Sequence, residues 1–286
     1  MANITTTTAA VFIPEVWSLE TLRAAEASLT MAPMIKRYDS LVRGRGDTIH
    51  IPNISNLTAN DKTQGSEVTT QAITETETSI SIDQWKETSF EIEDIVKTQS
   101  QYDLRSEYTS KAGYAIAEAI DSDLLGLYSS LTSTDVGEYG VDVTDATLVT
   151  AIETLDNVNA PLEDRYFIVK PSQKSAVMKL DKFVSAYHLG DVNMSSPVQK
   201  GPNSRYLWGE IYGIPFYYST QVNTTAGTPT QTHNMLFHKE AFALALQQAP
   251  RTQASYWQKD LAWIVTVDTI YGFSVLRSTF GVEVRS

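Results

Sequence analysis

Three carboxylates stand close together at Glu118, Asp121 and Asp123, and a second group, Glu91, Glu93 and Asp94, lies upstream of them. If the stretch is helical, residues 118 and 121 are neighbours on one face. Two adjacent carboxylates can divide the work of general acid and general base or hold a divalent cation. Such a pair also needs a nucleophile or a phosphate-cradling loop, and the sequence offers neither a G-x-S-x-G elbow nor a Walker or G-x-G-x-x-G loop. With no cysteine, disulfides, thiolate metal sites and cysteine nucleophiles are excluded. The four histidines, His50, His188, His233 and His238, are scattered, and none has the H-x-x-x-H spacing that sets two ligands on one helix face. A solvated helix face, with acids near a helix N-terminus where the dipole favours them, accounts for both groups. The expectation is a chain that is not an enzyme, with no catalytic, cofactor-binding or metal-ligating residues. The enzyme reading worth testing is a carboxylate-dependent hydrolase built on Glu118 and Asp121.

The chain has 286 residues, 42% of them hydrophobic, enough for one large domain or two ordinary ones with a sizeable core. Its formal net charge of −12 opposes an extensive nucleic-acid surface and suits a protein that stays soluble at high concentration. No apolar run approaches the roughly 20 residues that span a bilayer, and "MANITTTTAAVFIPEVW" lacks the features of a signal peptide. A mature, soluble, cytosolic product is expected.

The elements that would position these residues follow from periodicity. Pro14 and Glu15 open a short helical stretch in an arm of about 40 residues. Gly44 and Gly46 punctuate "VRGRGDTIHIPNI", where Ile49 and Ile51 alternate as in a strand; its Arg45-Gly46-Asp47 is read as a turn, not an adhesion motif. Residues 55–71 are polar, with Asn, Asp, Gly and Thr throughout, and form a loop tip. "ITETETSISIDQW" then alternates with period two, Ile80 and Ile82 on one side and Glu75, Glu77 and Asp83 on the other. Gly46 to about Phe90 thus reads as a long two-stranded arm. An isolated hairpin is marginally stable at best, so its partner surface should lie elsewhere.

From Tyr102 to Leu131 the apolar residues Leu104, Tyr108, Ala112, Ile116, Ile120, Leu124, Tyr128 and Leu131 recur mostly every four positions. About 30 residues make a helix on the order of 45 Å long. "DATLVTAIETLDNVNA" follows as an amphipathic helix with Leu148, Val149, Ile152 and Leu155 inward, then the strand "RYFIVKP" and a helix from Ser172 burying Ala176, Val177, Leu180 and Val184. After a polar loop over residues 185–205, "LWGEIYGIPFYYSTQV" turns at Gly213. Strands alternating with helices mark an α/β unit over 141–234, and the last 50 or so residues return as strands, with "KEAFALALQQAP" readable as helix or strand.

The order of these parts resembles the tailed-bacteriophage major capsid proteins of the Hong Kong 97-like fold. "GRGDTIHIPNI" with "ETETSISIDQW" matches the extended loop, and "DLRSEYTSKAGYAIAEAIDSDLL" the spine helix. "RYFIVKPSQKSAVMKL" and "GEIYGIPFYYS" match the axial domain, "LFHKEAFALAL" and "YGFSVLRSTFGVEV" the peripheral domain. The resemblance implies an α+β chain with an N-terminal arm (1–43), an extended β-hairpin loop (44–96), a peripheral domain (97–140 and 235–286) and a compact α/β axial domain (141–234). It implies a structural subunit forming hexamers and pentamers of an icosahedral head around double-stranded DNA, in the virion after assembly in the host cytoplasm. Encapsulins share the fold, and a nanocompartment shell around a cargo enzyme is the alternative. The implied partners are copies of itself, a portal protein, packaged DNA without sequence-specific contacts and, in some relatives, a decoration protein. Because only about 40 residues precede the hairpin, a separate scaffolding protein is expected. No cofactor is implied. The candidate inter-subunit contacts are Lys62, Glu75, Glu77, Ile80, Ile82 and Trp85.

Overall fold

The computed structural model describes residues 30–42, 46–53, 57–68, 70–73, 75–95, 104–180 and 207–286. The expected N-terminal helix, the loop at 185–205 and His188 lie outside these residues. In chain order the elements are β1 (Lys36–Arg37), α1 (Asp39–Val42), β2 (Thr48–Asn53), β3 (Thr76–Ser81), β4 (Gln84–Glu93), α2 (Leu104–Leu125), α3 (Asp145–Asn157), β5 (Arg165–Val169) and α4 (Pro171–Val177). There follow β6 (Leu207–Ile211), β7 (Ile214–Tyr218), β8 (Thr224–Thr225), β9 (Gln231–His238), β10 (Phe242–Trp257), β11 (Ala262–Val275) and β12 (Gly281–Arg285).

A mixed sheet is laid out in the order β12-β9-β5-β7-β6, with β8 added beside β9. The apolar run of β5 pairs in parallel with β7, Phe167 opposite Phe216, and antiparallel with β9. Strands β6 and β7 are joined by Tyr212 and Gly213, both at positive φ (53° and 78°), the two-residue turn whose twist matches a hairpin. The hydroxyl of Thr144 caps α3 by accepting the Thr147 N–H at 3.3 Å, and Pro171 occupies the first turn of α4, where a missing N–H costs nothing. Helix α3 buries Leu148, Ala151 and Leu155. Val149, expected inward, is exposed, because the buried stripe turns through Ala151 instead.

The second sheet runs β1-β10-β11-β4, and β10 and β11 form its long antiparallel centre. "FALALQQAP" is strand. Ala243 and Ala245 are buried along with Phe242 and Leu244, so both faces are covered and the period-two signal disappears. Helix α2 lies on this sheet and contributes Ala112, Ile116, Ile120 and Leu124 to the main core as its spacing predicted. Helical geometry ends at Leu125, and Gly126–Ser130 continue as a 3-10 turn, so the helix is shorter than the stripe suggested. Tyr108 is exposed on it, with its ring 5.6 Å from that of Phe90.

Strands β2 and β3 form a separate two-stranded sheet. The long second strand expected up to about Phe90 is divided at Ile82 and Asp83: β3 stays with β2, while β4 joins β11. Close approach makes this crossing possible. A Cβ on Gly272 of β11 would collide with the backbone of Ser81 and Ile82, so glycine alone lets the hairpin lie there. Strands β9 and β12, from the C-terminal segment, complete the first sheet.

Candidate functional site

The hairpin is seated at its base, and most of its described residues beyond the base are exposed. Ile49 and Ile80, opposite each other, close a small core with Val42, Ala243 and Ala245, flanked by Tyr38, Ile51, Ile82 and Leu276. The Ile82 N–H donates to the Asp47 carbonyl at 2.7 Å, the Gln247 amide to the Gly46 carbonyl at 2.6 Å, and the Leu246 N–H to Asp39 at 2.9 Å. Further out the side chains turn to solvent. His50 Nδ1 lies 3.4 Å from Glu77 Oε1 in an exposed pair. The tip is held by its own polar groups: the Thr58 N–H donates to Gln71 at 3.0 Å, the Gln71 amide donates back to the Thr58 carbonyl, and Ser66 bonds Thr63.

Of the expected contact residues, Lys62, Glu75 and Glu77 are exposed on the outer hairpin, Lys62 donating to Ser66 at 3.4 Å. Ile80 must be corrected: it has 0% exposure, held inside its own chain, and has no surface for a neighbour. Ile82 is half-buried at the same base. Trp85, 70% exposed at the start of β4, donates its indole N–H to Asp268 at 3.3 Å. Arg251 grips the same carboxylate at 2.8 and 3.0 Å and Gln248 at 3.0 Å. Burial works to raise the Asp268 pKa, and the bonds from Arg251, Gln248 and Trp85 outweigh it and hold the carboxylate below its ordinary value. Sequence reading missed Leu57, Val68 and Ile73, which are 65%, 74% and 60% exposed in and beside the tip. Their signal was present as single apolar residues in a polar stretch.

The carboxylates of α2 bond different partners, although Glu118 and Asp121 line one pocket with Tyr114, Tyr218 and Gln221. Glu118 accepts from the Gln221 amide. Asp121 is buried and accepts the backbone N–H groups of Thr30 and Met31 at 2.9 and 3.1 Å, so it anchors the segment entering from the N-terminal side. Burial pushes its pKa up to about 6, partly offset by those bonds. Asp123 accepts from Tyr271 at 2.6 Å and lies 3.4 Å from Lys86. Each is engaged by a different element. His233 Nδ1 is 2.6 Å from Glu283, with Thr225 on Nε2 at 3.0 Å and the Tyr128 ring stacked at 4.0 Å, a buried tie between β9 and β12. His238 caps a turn by accepting the Glu240 N–H at 3.2 Å, and burial lowers its pKa. Among the described residues no three His, Asp or Glu gather in a metal-like group, and no helix is long and apolar enough to cross a membrane.

This arrangement, a long helix against one sheet, a second mixed sheet and a hairpin projecting from its base, is the Hong Kong 97-like shell fold. A chain from Mycobacterium phage Che8 superposes with a TM-score of 0.74 at 23% identity, over 90% of each chain. The capsid of the cyanophage P-SCSP1u gives 0.67 at 19% identity, over 88% of this chain and 86% of that one. A virus-like particle from Pyrococcus furiosus gives 0.61 at 12% identity, over 95% and 99%. No curated protein matches the chain. The phage capsid protein family matches residues 75–283, and the chain belongs to that family.

Proposed function

We propose that the chain is the major subunit of a bacteriophage head, assembling into hexamers and pentamers of an icosahedral shell around double-stranded DNA. Family membership makes it a structural capsid protein of the virion and favours a phage shell over a cellular compartment. The observation that carries the finer reading is the hairpin. Its base is anchored on β10, while Leu57, Val68 and Ile73 stand exposed at the far end. Apolar groups held out on an arm fit a surface on another copy of the chain, and the polar residues between them keep the free arm soluble and limit indiscriminate strand pairing.

In this reading residues 44–96 are the inter-subunit loop, 1–43 an arm, 141–238 with 281–286 the axial part, its boundary shifted from the expected 234 because β9 and β12 complete its sheet, and 97–140 with 239–280 the peripheral part. Lys62, Glu75, Glu77 and Trp85 are its contact residues. A scaffolding protein, a portal and a decoration protein are further partners, with assembly in the host cytoplasm. The net charge of −12 supports a lining that packaged DNA does not adhere to. The chain has no enzymatic role in this reading.

The test is negative-stain electron microscopy with light scattering on the chain expressed alone. Closed shells, rings of capsomer size or open spirals are expected. A stable monomer at high concentration would overturn the reading.

A further inference from the structure

Residues 30–35 tie the N-terminal side of the chain to α2, and the tie closes on one carboxylate. Met31, Ala32, Met34 and Ile35 are buried in the same core as Ala112, Ile116 and Ile120 of α2. From Lys36 onward the chain is held instead by the parallel pairing of β1 with β10. Asp121 receives the backbone N–H groups of Thr30 and Met31 at 2.9 and 3.1 Å, and the Thr30 hydroxyl as well. All three donors are neutral, and no described cation pairs with Asp121. Residues 1–29 therefore join the fold at a carboxylate that is 2% exposed and has no counter-charge among the described residues.

The charged groups nearby are engaged elsewhere. Tyr114 and Glu118 of α2 and Tyr218 of β7 line the adjoining pocket, and Glu118 accepts from the Gln221 amide. The Lys174 ammonium of α4 rests over the Tyr218 ring, 4.0 Å from its centroid. Lys86 of β4 lies 3.4 Å from Asp123, which also accepts from Tyr271 of β11. Lys36, the first charged residue after the joint, lies 3.4 Å from Glu240. A buried charge without a cation beside it is costly, and either protonation or a move into water removes the cost. A protonated carboxyl still accepts N–H groups, whereas an ionised one gains by release to solvent. We propose that the joint between Asp121 and Thr30–Met31 is a proton-operated latch, which holds residues 30–35 on α2 while Asp121 carries its proton and loosens them when the proton leaves. Burial raises the Asp121 pKa from 3.8 to about 6. The closed state is thus favoured most below pH 3.8 and loses that advantage as pH rises through 6. Release is local, because β1 keeps its own pairing with β10. The latch does not depend on the shell reading; within that reading it makes docking of the arm respond to pH.

Hydrogen exchange on the full chain tests this. After division by the intrinsic rate at each pH, opening at the Thr30 and Met31 amides should increase about tenfold from pH 5 to pH 7.5, the factor that a pKa of 3.8 when open and about 6 when closed requires. These amides should also exchange at least roughly tenfold faster than those of β9 at every pH, as a local opening demands. Asp121→Asn should be flat over the same range, whereas Glu118→Gln should keep the response, with circular dichroism confirming that each variant is folded. A flat response in the unaltered chain overturns the latch without need of any variant. Protection equal to that of β9 overturns it too, because the segment would then leave only when the whole chain unfolds. A response that survives Asp121→Asn, or disappears with Glu118→Gln, overturns Asp121 as the group that carries the proton.

Discussion

The first sheet and the hairpin are both built from β-formers and use them in opposite ways. In β9 every residue after Gln231 is buried, and four of the five residues of β12 are buried. In β3 only Ile80 is buried, and Thr76, Glu77, Ser79 and Ser81 are exposed. The sheet is complete within one chain, whereas the hairpin has one seated end and one end that a single chain leaves uncovered. The difference separates residues that make the fold from residues that, on the proposed reading, serve assembly.

The sharpest way to break that separation is inside the sheet. Phe237 has 0% exposure and meets Phe242 edge-on at 5.2 Å. Phe237→Ala should cost about 3–5 kcal/mol, a large share of the roughly 5–15 kcal/mol that holds a domain together. Urea unfolding should register the loss, and assembly should fail with the fold.

The next effect is set by pH. Asp121 has a folded pKa of about 6 against an ordinary 3.8, raised by burial. A carboxyl raised in the folded state contributes stability that is fully present below pH 3.8 and lost as pH climbs through 6. The window amounts to about 3 kcal/mol. Unfolding midpoints should therefore fall between pH 4 and 7 by an amount that Asp121→Asn removes. The variant should be less stable at low pH, because its amide donates where one of the N–H groups of Thr30 and Met31 needs an acceptor.

How much of this could be read beforehand follows from which contacts are local. The stripe Ala112, Ile116, Ile120 and Leu124 was legible because helical spacing is written within one turn of the next. The alternation around Ile80 was legible for the same reason, and it indicated a hairpin with one apolar edge. Burial on both faces hid β10, since Ala243 and Ala245 erase the alternation of Phe242 and Leu244. The pairing of β12 with β9 and the division of the arm at Ile82 depend on segments far apart in the chain. The role of Asp121 was hidden too, since its partners lie some 90 positions earlier. For the contact surface, the exposed Glu75 and Glu77 followed from alternation. The pocket beside the hairpin did not, because Tyr38, Ile51 and Arg277 line it only once the hairpin is seated.

A smaller, local change should sharpen the contrast. Ile80→Ala empties the small core formed with Val42, Ile49, Ala243 and Ala245. Its effect should stay in the hairpin, as a separate unit of low stability would require. Amide exchange in β2 should accelerate by tenfold or more, while β9 keeps its protection. Equal acceleration in both strands would mean that hairpin and sheet unfold together.

The smallest effect expected on the folded chain is at Glu77, paired with His50 at 3.4 Å, both side chains more than 60% exposed. Exposed pairs contribute little, so Glu77→Gln should move the stability of the unassembled chain by less than about 0.5 kcal/mol. Its position on the free part of the arm gives it a second readout. If outer hairpin residues are reserved for a neighbour, the concentration needed for assembly should change by more than the urea midpoint does. Measuring both on the same preparation isolates assembly from folding, because Glu77 has almost no fold to disturb.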